Sequence, residues 1–344
     1  MQIKQTLPQL SNPHMKHLRL TYAFLAIMLI SACSGSTTES EETEPAATDP
    51  DPSTPTVTQP EFDPFAFASS ALTETVVTTS CTLSDGSAST CYEITIAGTP
   101  ATHEIGAFCP RDIYASADEV GIWFDGNGEV YDVDGEFIQN LAVIYNDSNW
   151  QLFDPVTGIV NITDSQIKCE GAARPDVSEE LQNHCVECSI DYYNGGVTAT
   201  YIIPVQPQLA SSPSNLGRND VGVSLSGVAI APPAPVDAIL GAYTIAAFDD
   251  CAGHVNPVAG YHYHGSAGCS EIVSENDGHG ARMGFALDGF GIYAMLDSQG
   301  AESADLDTCR GHSDEVRGYH YHAASVAENM FIGCFSGLTV MLFD

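Results

Sequence analysis

Short apolar runs, each closed by Gly, Asn, Asp or Pro, set the pattern of this chain. β-Branched and aromatic residues concentrate at positions 91–96, 121–124, 141–145, 197–205, 221–230, 238–246, 284–293 and 338–343. Runs of this length without a 3.6-residue period predict strands. Helical periodicity is weak. Its best instance is 177–188, with Pro175 and Asp176 as a start signal. The expected fold class is mainly β, with one or two short helices that bring it towards α+β.

The ends of the pattern differ from its middle. Lys16 and Arg19 precede an apolar stretch over 20–30, and Ile30-Ser31-Ala32-Cys33 follows. The stretch is too short to span a bilayer, so residues 1–32 are set apart from the fold as a targeting segment. Met15 offers a second start with a complete basic region. The arrangement resembles a bacterial lipoprotein signal, which implies cleavage before Cys33 and lipidation of its thiol; an ordinary secretory signal is the alternative. Residues 33–64 are rich in Ser, Thr, Glu, Asp and Pro and predict a disordered acidic tether. Ser34 after the cysteine favours the outer membrane, by resemblance to other lipoproteins. The expected partner is therefore a membrane, reached through the lipid on Cys33. Residues 65–210 form an N-terminal β-rich region, and 211–344 carry a duplication of about 60 residues.

Charge excludes one class of partner. All 45 acidic residues follow Cys33, against seven basic ones, so the exported chain carries 7 − 45 = −38. A nucleic-acid groove needs the opposite sign. The excess suits a solvated acidic surface, and it also attracts cations, within the Debye length of about 8 Å.

Ten cysteines remain besides Cys33, an even count that predicts disulfides in an exported chain. The repeat suggests Cys251 with Cys269 and Cys309 with Cys334. Cys81 with Cys91 is a local bridge, and Cys109 with Cys169 would then remain. Each loop contributes about 3 kcal/mol through the unfolded chain. Cys185 and Cys188 have zinc-ligand or redox spacing, but no second pair completes a zinc box. A structural disulfide, here or with partners elsewhere, is favoured.

The chemistry lies in the duplication. Tyr261-His262-Tyr263-His264 recurs as Tyr319-His320-Tyr321-His322, at 319 − 261 = 58. Ungapped, Asp249–His264 and Asp307–His322 share ten of sixteen residues, including Cys251/Cys309, Gly253/Gly311 and His254/His312. Upstream, 222–230 resembles 284–292 at an offset of 62, and each run reads as an apolar strand with a central glycine. Two such units suggest halves about a pseudo-twofold axis, with the histidine strands near it.

On a strand, alternate residues share a face. His262 and His264 then point one way and the two tyrosines into the core. With His254 folding back from its loop, the first unit offers three imidazoles; His312, His320 and His322 repeat the set. The trios can hold one ion each or meet in a shared site. Nitrogen ligands without an obligatory carboxylate suit copper or zinc. His279 is a further candidate ligand or an ordinary loop residue, and Asp288 a candidate carboxylate orienting an imidazole. The alternative leaves the imidazoles as structural groups bridging strands. The Asp/Gly-rich segments at 125–129 and 132–136 lack a full calcium loop and read as turns.

Gly-Tyr-His-Tyr-His, the upstream Asp-x-Cys-x-Gly-His and the segment 284–293 together resemble the YHYH family, named for this motif, over about 221–337. The resemblance implies an exported protein; it carries a motif and not a reaction. The reading is a cell-envelope lipoprotein binding copper or zinc, with its reaction unassigned. Its competitors are a disulfide-rich interaction or adhesion module and a metal-dependent hydrolase of an envelope polymer.

Overall fold

The computed structural model describes residues 59–174 and 176–341. The targeting segment, Cys33 and most of the tether fall outside the described residues. An antiparallel sheet joins β1 (Val77–Thr82), β2 (Ala88–Ile96) and, after a long excursion, β6 (Ala199–Pro204). The excursion holds β3 (Ile122–Phe124) paired with β4 (Val130–Asp132), and β5 (Cys185–Val186), which later pairs with β10 (Ile245–Ala246). β7 (Leu209–Ser214) pairs with β17 (Phe335–Gly337) near the end of the chain. Helices α1 (Gly135–Ile144), α2 (Gln166–Ala172) and α3 (Val236–Gly241) are short. Among the described residues no helix is long and apolar enough to cross a membrane. The fold is mainly β, as the apolar runs imply.

The duplication builds the main sheet. Its strands are β8 (Gly222–Ser224), β9 (Ala229–Ile230), β11 (Gly253–Asn256), β12 (Gly260–Tyr263), β13 (Arg282–Ala286), β14 (Gly291–Tyr293), β15 (Gly311–Asp314) and β16 (Gly318–His322). Their order is β11-β12-β9-β8-β13-β14-β16-β15, so the second half mirrors the first. At the centre β8 and β13 run antiparallel, and Val223 faces Phe285, its own equivalent at 285 − 223 = 62. The pseudo-twofold axis passes between these two residues.

Several expectations are corrected here. The runs 221–230 and 284–293 are hairpins, and the central glycines Gly227 and Gly289 sit in their turns at φ +87 and +90, a region costly for other residues. The histidine strands β12 and β16 are not near the axis. Four strands lie between them, about 24 Å at the usual spacing, so a site shared by the two trios is ruled out. Residues 141–145 finish α1, whose start is fixed by Asp134 accepting from Phe137 N at 2.8 Å. Residues 238–246 begin in α3. The expected helix at 177–188 is only a 3-10 turn at Glu179–Leu181 leading to β5. Of the run at 338–343, residues 342 and 343 lie outside the described residues; among 338–341 only Val340 forms a β-bridge, an isolated one with Leu83.

Among the described residues five disulfides form. Cys81–Cys91, Cys251–Cys269 and Cys309–Cys334 are as expected. Cys109 pairs with Cys185 rather than Cys169, and Cys169 pairs with Cys188. Cys185 to Cys188 is extended, which spaces their Cα atoms at about 10 Å. A disulfide needs less than about 7 Å, so each cysteine bonds outward instead.

The two expected regions share one core. Ile94, Ile96, Tyr201 and Ile203 pack with Val223, Leu225 and Phe285 across position 210. Phe62, 2% exposed, packs against Phe285 with tilted rings at 4.2 Å, so the packed body starts before residue 65. Gln59 donates to the Arg317 and Tyr319 carbonyls and accepts from Tyr319 N.

Each Asp-x-Cys-x-Gly-His segment has a defined architecture. Asp249 accepts from Cys251 N at 3.1 Å, Gly253 N at 3.0 Å and the Tyr261 hydroxyl at 2.7 Å. Asp307 does the same with Cys309 N, Gly311 N and Tyr319. The phenol crosses the neighbouring strand at the glycine. A Cβ on Gly253 would lie 2.4 Å from the Tyr261 hydroxyl oxygen, and one on Gly311 only 2.0 Å from that of Tyr319. Gly253→Ala and Gly311→Ala are therefore expected to cost about 1–3 kcal/mol each in urea unfolding, through displaced phenols; unchanged midpoints would show that the rings move freely.

Candidate metal centres

Two hairpins carry the histidines. In β11–β12 the turn is held by Asn256, whose Oδ1 accepts from Val258 N at 2.8 Å and Ala259 N at 2.7 Å, and Gly260 closes it at φ +66. Asp314 and Gly318 play these parts in β15–β16. The register sets His254 directly opposite His262, and His312 opposite His320. The third ring of each trio thus comes from the adjacent strand as a cross-strand pair, not from a loop folding back. His264 and His322 follow on the same face.

The rings converge on their Nε2 atoms. His262 Nε2 lies 3.1 Å from His254 Nε2 and 3.0 Å from His264 Nε2. In the second half His320 Nε2 lies 3.0 Å from both His312 Nε2 and His279 Nε2, and His322 Nε2 is 3.2 Å from that of His312. Both groups, His254/His262/His264 and His279/His312/His320/His322, can hold a metal ion. All six expected ligands are brought together, three to a centre. His279, equally readable as an ordinary loop residue, joins the second centre as a fourth ring.

The other ring nitrogens decide what these contacts are. His262 Nδ1 faces Gly260 O at 3.0 Å and His264 Nδ1 faces Pro232 O at 2.8 Å. His279, His320 and His322 Nδ1 face the carbonyls of Gly280, Gly318 and Ala294 at 2.8–3.0 Å, and His312 Nδ1 faces Asp305 Oδ1 at 2.9 Å. Carbonyl and carboxylate oxygens only accept, so each Nδ1 carries the proton. A neutral ring then has only a lone pair at Nε2. Lone pairs 3 Å apart repel unless a cation lies between them. Nitrogens bound to zinc at about 2.0–2.1 Å lie about 3–3.4 Å apart at angles from square to tetrahedral, which is the spacing found.

Burial reinforces this. His262, His264, His320 and His322 are at most 5% exposed, while His254, His279 and His312 are half-buried at the rim. Phe248 packs on His254 at 4.8 Å and His264 at 5.4 Å; Tyr293 packs on His279 at 4.8 Å and His320 at 5.1 Å. Desolvation holds His254 and His264 well below the ordinary histidine range, lowers His262, His279 and His320, and brings His322 to about 4. At these six rings burial thus favours the neutral form, the form able to ligate.

Supporting groups differ from expectation. Asp288 orients no imidazole: it accepts from the Tyr321 hydroxyl and from Gly337 N at 2.9 Å, on the opposite face of β16. Burial pushes its carboxyl up to about 6. The strand alternation that separates His from Tyr puts it out of reach. Asp305 is the carboxylate that does orient a ring, and it lies in a polar loop whose sequence gives no sign of this. Arg317, 6% exposed, meets Asp277 through two hydrogen bonds of 2.7 and 2.6 Å and also pairs with Asp314. It thereby ties the loop of His279 to the β15–β16 hairpin. His103 lies 3.3 Å from both Tyr261 and Tyr263 hydroxyls. It also neighbours Cys251 and Cys269, but their sulfurs are spent in a disulfide and offer no thiolate.

The sequence model of the YHYH protein family matches residues 200–305. This segment belongs to the YHYH family. The match takes in the first YHYH motif and His279 but stops before the second motif, whose place rests on the duplication and the mirrored sheet. No curated protein and no solved structure matches the chain.

The depressed histidines set a pH dependence. Folding favours their neutral form, so their contribution is present above about pH 6.5 and lost as pH falls towards their folded values. Asp249 and Asp288, both raised by burial, act in the opposite sense but are fewer. In the metal-free protein, each histidine that stays neutral to pH 5 is expected to cost about 2 kcal/mol of stability between pH 7 and pH 5. A thermal midpoint that is flat over this interval would contradict the buried, neutral assignment.

Proposed function

We propose that this chain binds copper or zinc at two independent all-imidazole centres, one in each half. The supporting observation is the set of Nε2 lone pairs that face one another while every defined Nδ1 partner is an acceptor. An interaction module with structural histidines would leave those lone pairs opposed with nothing between them. Bound in such a centre, copper would supply one-electron chemistry, and zinc would polarise a bound ligand. The chain's own residues orient the rings, keep them neutral and exclude bulk water. The acidic surface draws cations towards both centres. As a lipoprotein anchored through Cys33, the protein would hold these centres in the cell envelope, facing the periplasm or the cell surface.

Elemental analysis tests this. Protein purified without a nickel column and offered copper or zinc is expected to hold two ions per chain. His262→Ala with His264→Ala, and His320→Ala with His322→Ala, are each expected to lower the count to one. A protein that takes up neither metal and keeps its thermal stability would refute the proposal.

A further inference from the structure

The two centres are not equivalent, and the difference can be read residue by residue. His279 stands five positions before Gly284, the residue that aligns with Gly222 at the offset of 62. The same offset places Gly217 where the second half has His279, since 279 − 62 = 217. Gly217 has φ +77, and a Cβ built on it meets nothing within 4 Å. The fourth imidazole of the second centre is thus replaced in the first by a residue without a side chain, standing in open space.

That space belongs to a cleft of about 1110 Å³. The cleft is lined by Gly217 and by all three histidines of the first centre, His254, His262 and His264. Most of its remaining wall is apolar, with Val186, Val197, Pro232, Ala238, Ile239 and Val258 contributing. Arg218, next to Gly217, also lines it; it is exposed and makes no ion pair among the described residues, in a chain with a large acidic excess.

Resting on the metal-binding reading above, we propose that the first centre keeps a coordination position open towards this cleft and takes an exogenous ligand there. The ligand class is a small molecule with one nitrogen or oxygen donor on a largely apolar body. The second centre, completed by His279, is closed by protein atoms. A three-histidine ion with one position free is the arrangement that exchanging and catalytic centres use, whereas four protein ligands suit a structural role. One copy would stabilise the fold while the other binds ligand.

Azide, which gives a charge-transfer band when it ligates copper(II), tests this on the whole protein loaded with two copper ions. At saturation the band is expected to correspond to one copper of the two. His279→Ala changes a half-buried loop residue and should keep both ions but open the second centre, so the band is expected to roughly double. A band from both ions in the unaltered protein, from neither, or unchanged by His279→Ala would overturn the inference while leaving metal binding intact. Failure to hold copper at all would refute the parent reading instead. For the cleft, 4-phenylimidazole is expected to bind the first centre at least about tenfold more tightly than imidazole, through burial of its phenyl ring. Equal affinities would remove the apolar ligand class.

Discussion

Each centre depends on hydrogen bonds made on the far side of its imidazoles. A carbonyl or carboxylate at Nδ1 fixes the tautomer, and once it is fixed Nε2 presents only a lone pair. At six of the seven histidines that acceptor is identified, and at five it is a backbone carbonyl. A backbone acceptor moves only if the strand or loop moves. The ring orientation is thus as rigid as the sheet, and the convergence of lone pairs is built into the backbone.

The sheet achieves this with a small repeated device. A hairpin sets two histidines opposite each other, and strand alternation adds a third on the same face. The same alternation sends the tyrosines to the other face, where Asp249, which is buried, and Asp307 receive the first phenol of each motif while capping the loop that leads into the hairpin. The glycine before His254 and His312 exists to let that phenol cross. A disulfide closes each loop behind it. The motif residues that do not face the ion therefore serve to place those that do.

Much of this was legible because a strand has period two. His262 with His264, and their copies, share a face for that reason alone, and the duplicated cysteines correctly gave two bridges. What failed was whatever depends on distant partners. The central glycines looked like strand interiors because periodicity does not distinguish a hairpin from one long strand. His254 seemed to need a folded loop because the turn at Asn256 was not recognised as a hairpin closure. Sequence separation did not reveal the four strands between β12 and β16. Cys185 and Cys188, close in sequence, bond apart because an extended backbone carries them apart. Asp305 could not be found, since it reaches His312 only through the fold of a polar loop. Asp288 stands where the first half has Ser226, and it acts on Tyr321 rather than on a ring.

These differences accumulate on one side. The second half has a carboxylate under Tyr321 where the first has Ser226 under Tyr263. It has Asp305 on His312, Arg317 tying the loop to the hairpin, and His279 as an added ring. The first half has Gly217 and a cleft in the place of that ring. Duplication within one sheet permits such divergence, because the halves meet along β8 and β13 and share no histidine. Each added polar group can then tighten one centre without constraining the other, and about 24 Å of sheet keeps the two apart.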